Sequence, residues 1–248
     1  MLEVRNLKKR FGDFEAVKGV SFTVKEGEVL GFLGPNGAGK STTMRMITGF
    51  LPPTDGTAVI CGHDIAADPI AAKRDLGYLP EAAPSYRAMT VEDFLAFAAE
   101  VRGLKDVRQA VEAVIVKAKL EGVRHQTIET LSKGYRQRTC FAQAIIHDPK
   151  VLIMDEPTDG LDPNQKYTVR EMIKNMAAQG KAIVISTHIL EEVDAVCTRA
   201  IIIAGGEKKF DGTPAELKAK DPSGKLDVVF RKLTDAANEG AANEKEVQ

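Results

Sequence analysis

Cysteine is scarce: Cys61, Cys140 and Cys197 are the only 3 in 248 residues, isolated from one another and without a CxxC spacing. An odd and isolated set argues against a disulfide framework or a cysteine zinc site and fits a reducing compartment, with packing as the remaining role. An excess of one charge is also lacking, since 34 lysines and arginines face 35 aspartates and glutamates, a formal net charge of −1. No overall basic field recommends DNA or RNA, so no nucleic-acid partner is expected. No apolar run approaches the roughly 20 residues that cross a bilayer. No signal peptide is expected either, because Met1 leads directly into alternating and basic residues. Any membrane association would then go through another subunit. With no internal repeat or domain linker and 44% hydrophobic residues, the chain is expected to hold one sizeable α/β domain, alone or with a smaller lobe.

What the chain does carry is a glycine-rich stretch, Leu30-Gly31-Phe32-Leu33-Gly34-Pro35-Asn36-Gly37-Ala38-Gly39-Lys40-Ser41. Gly34, four residues, then Gly39-Lys40-Ser41 is the spacing of a phosphate-binding loop, with Val29 to Leu33 as the strand before it and Thr42 to Thr48 as the helix after it. Glycines there let backbone N–H groups point at phosphate oxygens, and the helix N-terminus adds fixed positive potential. Lys40 would reach the β- and γ-phosphates, and the Ser41 hydroxyl would ligate Mg²⁺. The candidate nucleotide-binding residues are thus Gly34, Pro35, Asn36, Gly37, Ala38, Gly39, Lys40, Ser41 and Thr42. An ordinary glycine turn before Lys-Ser is the bland alternative.

Along the chain, Leu2 to Leu7 and Val20 to Val24 alternate as half-buried antiparallel strands do. Phe11 lies between them beside Gly12, either as a core plug or as a ring that stacks on a base. Thr54-Asp55-Gly56 marks a turn into a short strand, Ala58 to Cys61, and Leu76 to Glu81 reads as a strand stopped by Pro80. Ala82 to Met89 has no period. A helix capped by Thr90, a second from Asp106 and a third over Gly134 to Ile146 follow without an intervening strand, which suggests a helical lobe inserted at about 82–148. The core resumes with Val151 to Met154. Asp162-Pro163 opens a helix ending at Gly180, Ala182 to Ile185 is a buried strand, and a helix follows through Val196. Ala200 to Ala204 and Lys208 to Phe210 flank Gly205-Gly206 as a hairpin, Thr213 to Glu216 is a capping box, and Leu226, Val229, Phe230 and Leu233 have helical spacing. From Asp235 the chain is small, polar and unpatterned, so 235–248 is expected to be a disordered tail.

A phosphate-binding loop needs a second carboxylate for the metal and a group that orients the attacking water. Asp155 and Glu156, directly after the apolar strand, can serve as metal carboxylate and general base. His188, after another core strand, is either a packed histidine or a γ-phosphate contact.

The segment Leu131-Ser132-Lys133-Gly134-Tyr135-Arg136-Gln137-Arg138 precedes Asp155 and resembles the signature motif of ATP-binding cassette (ABC) proteins. The resemblance covers Leu2 to Gly212, about four-fifths of the chain. It implies an α/β fold with a P-loop NTPase, RecA-like core, an N-terminal antiparallel β subdomain and an inserted α-helical subdomain. That would be one ABC-type nucleotide-binding domain over 1–234. It implies ATP and Mg²⁺ as ligands, with Phe11 stacking on the base, Glu156 as catalytic base and His188 as switch histidine. Ser41, Glu81 and Asp155 would serve the metal. It also implies that Ser132 and Gly134 touch the nucleotide of an opposed subunit and that Asp162 matches the loop crossing between two subunits. Two departures stand out. The signature commonly has Gly at Lys133 and Gln at Tyr135, and Glu81 stands where glutamine is usual, which loses an amide donor and adds charge near the phosphates. Together these segments resemble the bacterial branch that drives separate ABC-2 type membrane subunits, mostly exporters. The resemblance therefore implies an ATPase on the cytoplasmic face of a membrane. Its expected partners are integral membrane subunits and a second ABC ATPase subunit, in a homodimer or a heterodimer. The rival classes are a cassette ATPase acting on ribosomes or DNA, and a regulatory nucleotide-binding module without turnover.

Overall fold

The computed structural model describes residues 1–82 and 85–243. Alternation at the start of the chain builds a long hairpin: Leu2–Phe11 (β1) and Phe14–Val24 (β2) pair antiparallel and bury Leu2, Val4, Leu7, Val20, Phe22 and Val24. Val29–Leu33 (β3), buried at every position, belongs to a second sheet and runs into helix Lys40–Ile47 (α1). The chain then returns to the first sheet. Asp55–Ile60 (β4) pairs with β1, and His63–Asp64 (β5) closes a four-stranded order β2-β1-β4-β5. Strand β4 begins at Asp55, ahead of the expected Ala58, because pairing with β1 continues to the Lys8–Asp55 register.

Pro69–Arg74 (α2) was not foreseen, although Asp68 before Pro69 repeats the start pattern of Asp162-Pro163; its side chain caps the helix by accepting from Ala71 N. Leu76–Leu79 (β6) follows. The helical lobe consists of Val91–Val101 (α3), Val107–Lys117 (α4) and Lys133–Ile145 (α5), capped by Thr90, Asp106 and Ser132. Its interior, with Phe94, Leu95, Val111, Ile115 and Phe141, is continuous with the residues beneath the second sheet. The remaining elements are Val151–Asp155 (β7), Pro163–Ala178 (α6), Ala182–Thr187 (β8), Leu190–Val196 (α7), Arg199–Ala204 (β9) and Glu207–Gly212 (β10), followed by Pro214–Lys218 (α8) and Leu226–Asn243 (α9). Helix α9 runs past Asp235, where the sequence suggested a tail; its alanine-rich stretch holds no proline to stop it. Residues 244–248 lie outside the described residues. Among those described, no helix is long and apolar enough to cross a membrane.

The second sheet has the order β10-β9-β3-β8-β7-β6, parallel except for β10. Parallel strands covered on both faces explain the continuous apolar runs of β3, β7 and β8. One face meets the antiparallel sheet, where Phe22 and Phe32 rings lie 5.5 Å apart. The other meets α5, α6, α7 and α9.

Register decides where the chemistry sits. Leu33 pairs with Thr187, Asp155 with Ser186 and Leu79 with Met154, so Gly34, Glu156, His188 and Pro80 all leave the sheet at its C-terminal edge. In parallel α/β sheets that edge is where ligands bind.

Helix α7, which starts just after His188, is fastened to α6 by a forked ion pair. Arg170 Nε and Nη2 donate to Glu192 at 3.0 and 2.8 Å, and the Glu192 side chain is only 2% exposed. Removing the arginine leaves a buried carboxylate without a counter-charge. Arg170→Met is therefore expected to lower the unfolding free energy by about 3 kcal/mol in urea titrations; an unchanged midpoint would remove this pair as the fastening of α7.

Candidate functional site

The loop between β3 and α1 owes its shape to close backbone approaches. Gly39 sits at φ 99°, and a Cβ on it would lie 2.6 Å from the Ala16 carbonyl oxygen, so only glycine fits. Gly39 is also the N-cap of α1 and offers no side chain to it, which leaves the first N–H groups of the helix directed at the space in front. That space is a cleft of about 630 Å³. Asn36, Gly37, Gly39, Lys40, Ser41 and Thr42 form its floor. Gly34, Pro35 and Ala38 stand behind them: Ala38 N donates to the Pro35 carbonyl at 3.2 Å, and the Gly34 carbonyl accepts from Lys40 Nζ at 2.8 Å.

Lys40 is 6% exposed, with a longer contact to the Pro35 carbonyl at 3.3 Å and Glu156 Oε1 at 3.9 Å. Burial pushes its ammonium below the ordinary lysine value, while the carboxylates of Glu156, Asp155 and Glu81 pull it back. A polyphosphate would supply the counter-charge that two carbonyls give only in part.

Glu156 faces Lys40 from the end of β7. It is a non-glycine residue in the left-handed region, φ 49°, held there by its N–H donating to the Ser186 carbonyl at 3.0 Å. Such a conformation costs of order 1 kcal/mol and clusters at functional sites. His188 Nδ1 lies 2.9 Å from Glu156 Oε1, while Glu156 Oε2 is buried without a hydrogen-bond partner. Its lone pairs are unused by the protein, which is the acceptor capacity a general base needs. Asp155, 2% exposed, lies beneath the cleft lining and accepts from the Ser186 hydroxyl.

Not all of the expected residues share the cleft. Phe11, Lys40, Ser41, Thr42, Glu81, Glu156 and His188 are brought together on the cleft. Ser132, Gly134 and Asp162 are not: Ser132 caps α5 by accepting from Tyr135 N at 3.4 Å, and Asp162 caps α6 by accepting from Asn164 N and Gln165 N, both at 3.0 Å. Phe11 is half-exposed on the wall, with Lys9 Nζ 5.2 Å from its ring centre.

Sequence reasoning missed Phe14 and Asp159, which also line the cleft. Phe14 was within reach, because a two-residue turn after Phe11 pairs the two rings' positions across the hairpin end. Asp159 carries no spacing signal; it arrives through the turn in which its N–H donates to the Glu156 carbonyl at 3.2 Å.

This geometry can be set beside known proteins. A family model described as ABC transporter matches residues 17–159, more than half of the chain. The Nod factor export ATP-binding protein I of Burkholderia orbicola (strain AU 1054) is 37% identical over 218 residues, 87% of this chain and 72% of that one. The chain belongs to the ABC transporter family, as an ATP-binding subunit. The linearmycin resistance ATP-binding protein LnrL of Bacillus subtilis (strain 168) is 36% identical over 219 residues, 88% of this chain and 70% of the relative. A solved structure of an ATP-binding subunit of an ABC transporter superposes with a TM-score of 0.84 at 30% identity, covering 94% of this chain and 99% of that one. Within that family the chain is an ATP-binding subunit and an ATPase.

Proposed function

We propose that this ABC subunit drives export through separate ABC-2 type membrane subunits, with ATP closing two cassettes around shared sites and hydrolysis reopening them. The observation that supports hydrolysis at this cleft is Glu156, whose free Oε2 and His188-bound Oε1 stand beside the Lys40 ammonium. The relative whose name speaks of Nod factor export supports the outward direction.

In the proposed reaction, Lys40 and the open N–H groups of α1 hold the β- and γ-phosphates. Phe11 and Phe14 offer ring faces to the base. Glu156 Oε2 accepts a hydrogen bond from the attacking water and takes its proton as the new P–O bond forms, while the bond from the γ-phosphorus to the ADP oxygen breaks and ADP departs. His188, on Glu156 Oε1, fixes the carboxylate and reaches toward the γ-phosphate.

The donors also suit a magnesium ion, which takes hard oxygen ligands and keeps several waters. The Ser41 hydroxyl and Glu81 carboxylate would face it, and Asp155, one layer beneath, would hold it through water. Such an ion, held by these residues, would supply positive charge against the phosphates.

Glu81 lies on both the ATP cleft and a neighbouring cavity that also touches Lys133, Arg136 and Gln137 of α5. From that position Glu81 would link bound phosphates to the helical lobe. Glu81→Ala is therefore expected to weaken stimulation of phosphate release by the co-purifying membrane subunit more than it weakens ATP binding. Equal falls in basal and stimulated rates would argue against this coupling role. Isolation of the chain with a ribosome or with DNA, and with no integral membrane protein, would overturn the transport reading.

A further inference from the structure

Lys133 begins α5, at the signature position where glycine is usual, and its Nζ lies 3.7 Å from Asp159 Oδ2. Asp159 stands on the wall of the nucleotide cleft. The same helix meets the same loop a second time, where Gln137 Nε2 donates to the Pro157 carbonyl at 3.3 Å. Gly160, beside Asp159, holds φ 62°, and a Cβ on it would fall 2.0 Å from Lys133 Nζ. The ammonium rests on bare backbone, in a place that a side chain at 160 would deny it.

As a stabilising contact this pair is small, because side chains that are 56% and 49% exposed screen each other's charge. Its electrostatic consequence for the ligand is larger. Glu81, Glu156 and Asp159 line the cleft against the ammonium of Lys40, and the ligand is itself a polyanion. A carboxylate at Asp159 without a counter-ion would oppose phosphate entry.

We propose that Lys133 is a positioning residue for nucleotide in its own chain: as the counter-ion of Asp159, it cancels a repulsive charge on the cleft wall. The inference rests on the ATP reading of the cleft and is independent of any second cassette. Neutralising the lysine weakens binding, neutralising the aspartate strengthens it, and neutralising both returns the affinity close to its starting value.

The test is titration with fluorescent ADP at low salt, at concentrations where sedimentation shows single chains. Wild type is compared with Lys133→Met, Lys133→Arg, Asp159→Asn and the Met/Asn double variant, with circular dichroism confirming that each folds. Lys133→Met should raise Kd about two- to five-fold and Asp159→Asn should lower it by a similar factor. Lys133→Arg and the double variant should bind as wild type does. Raising the salt to about 0.5 M should shrink the differences, since the pair is exposed. Shifts of Lys133→Met and Asp159→Asn in the same direction would overturn the proposal, as would no shift in either while wild type binds. A wild-type chain that binds no ADP would overturn the nucleotide reading, and this inference with it.

Discussion

Replacing Glu156 by glutamine is expected to lower the rate of ATP hydrolysis by about 10² to 10⁴, the range for loss of a general base, while leaving ATP affinity near its original value. The reason lies in how the carboxylate is held. Its Oε1 is engaged by His188 at 2.9 Å, and its Oε2 is buried and free, so an amide of the same shape keeps the His188 contact and the packing but cannot take a proton from water. The left-handed backbone at φ 49° is equally strained for either residue, so folding should not discriminate between them. The outcome is ATP trapped in closed dimers, visible as a stable dimer in ATP and a monomer in ADP. Near-normal phosphate release by purified Glu156→Gln would remove Glu156 from the base role. The same rate with weakened ATP binding would point instead to a positioning role beside Lys40.

Two inactive variants are expected to rescue each other. Lys40→Ala removes the only lysine on the cleft lining among the described residues, whereas Ser132→Arg obstructs the start of α5, which that lining does not include. If each catalytic site takes its P-loop from one chain and its signature from the other, a mixed dimer has one site with both lesions and one with neither. Equal mixing of homodimer-forming variants gives about half mixed dimers, so roughly a quarter of wild-type sites return if sites act independently. Ser132 is exposed, and its cap on Tyr135 N is long at 3.4 Å, so the arginine should cost no more than about 1 kcal/mol of stability. Crosslinked mixed dimers that hydrolyse no more ATP than either variant alone would count against shared sites. Activity of Ser132→Arg by itself would count against them more directly.

Much of the architecture was legible because it depends on neighbours in sequence. The alternation of Leu2 to Leu7, the apolar runs of Val29 to Leu33 and Val151 to Met154, and the caps at Thr90, Asp106, Asp162 and Thr213 all read through to observed elements. Where the reading stopped short, a longer-range partner decided. Strand β4 starts earlier than its own residues suggest because Lys8 of β1 pairs with Asp55. Helix α9 continues beyond Asp235 through a polar stretch that is rich in alanine and holds no proline. In the site, Phe14 and Asp159 escaped because neither stands at a motif spacing; one reaches the cleft by hairpin pairing and the other by a turn after Glu156.

The amino-acid sequence by itself determined the phosphate-binding loop, the Asp155-Glu156 pair at a strand end and the signature-like start of α5, because each is a pattern of residues within a single turn or strand. Tertiary structure alone decided which of these share a space. Parallel register set Glu81, Glu156 and His188 around Lys40, packing left one Glu156 carboxylate oxygen buried and free, and the loop after it brought Asp159 under Lys133. A sequence fixes spacing along the chain through local geometry. Distances between strands some 30 to 150 residues apart depend on which strands pair and in what register, and those are set by burial of faces that only the assembled sheet possesses.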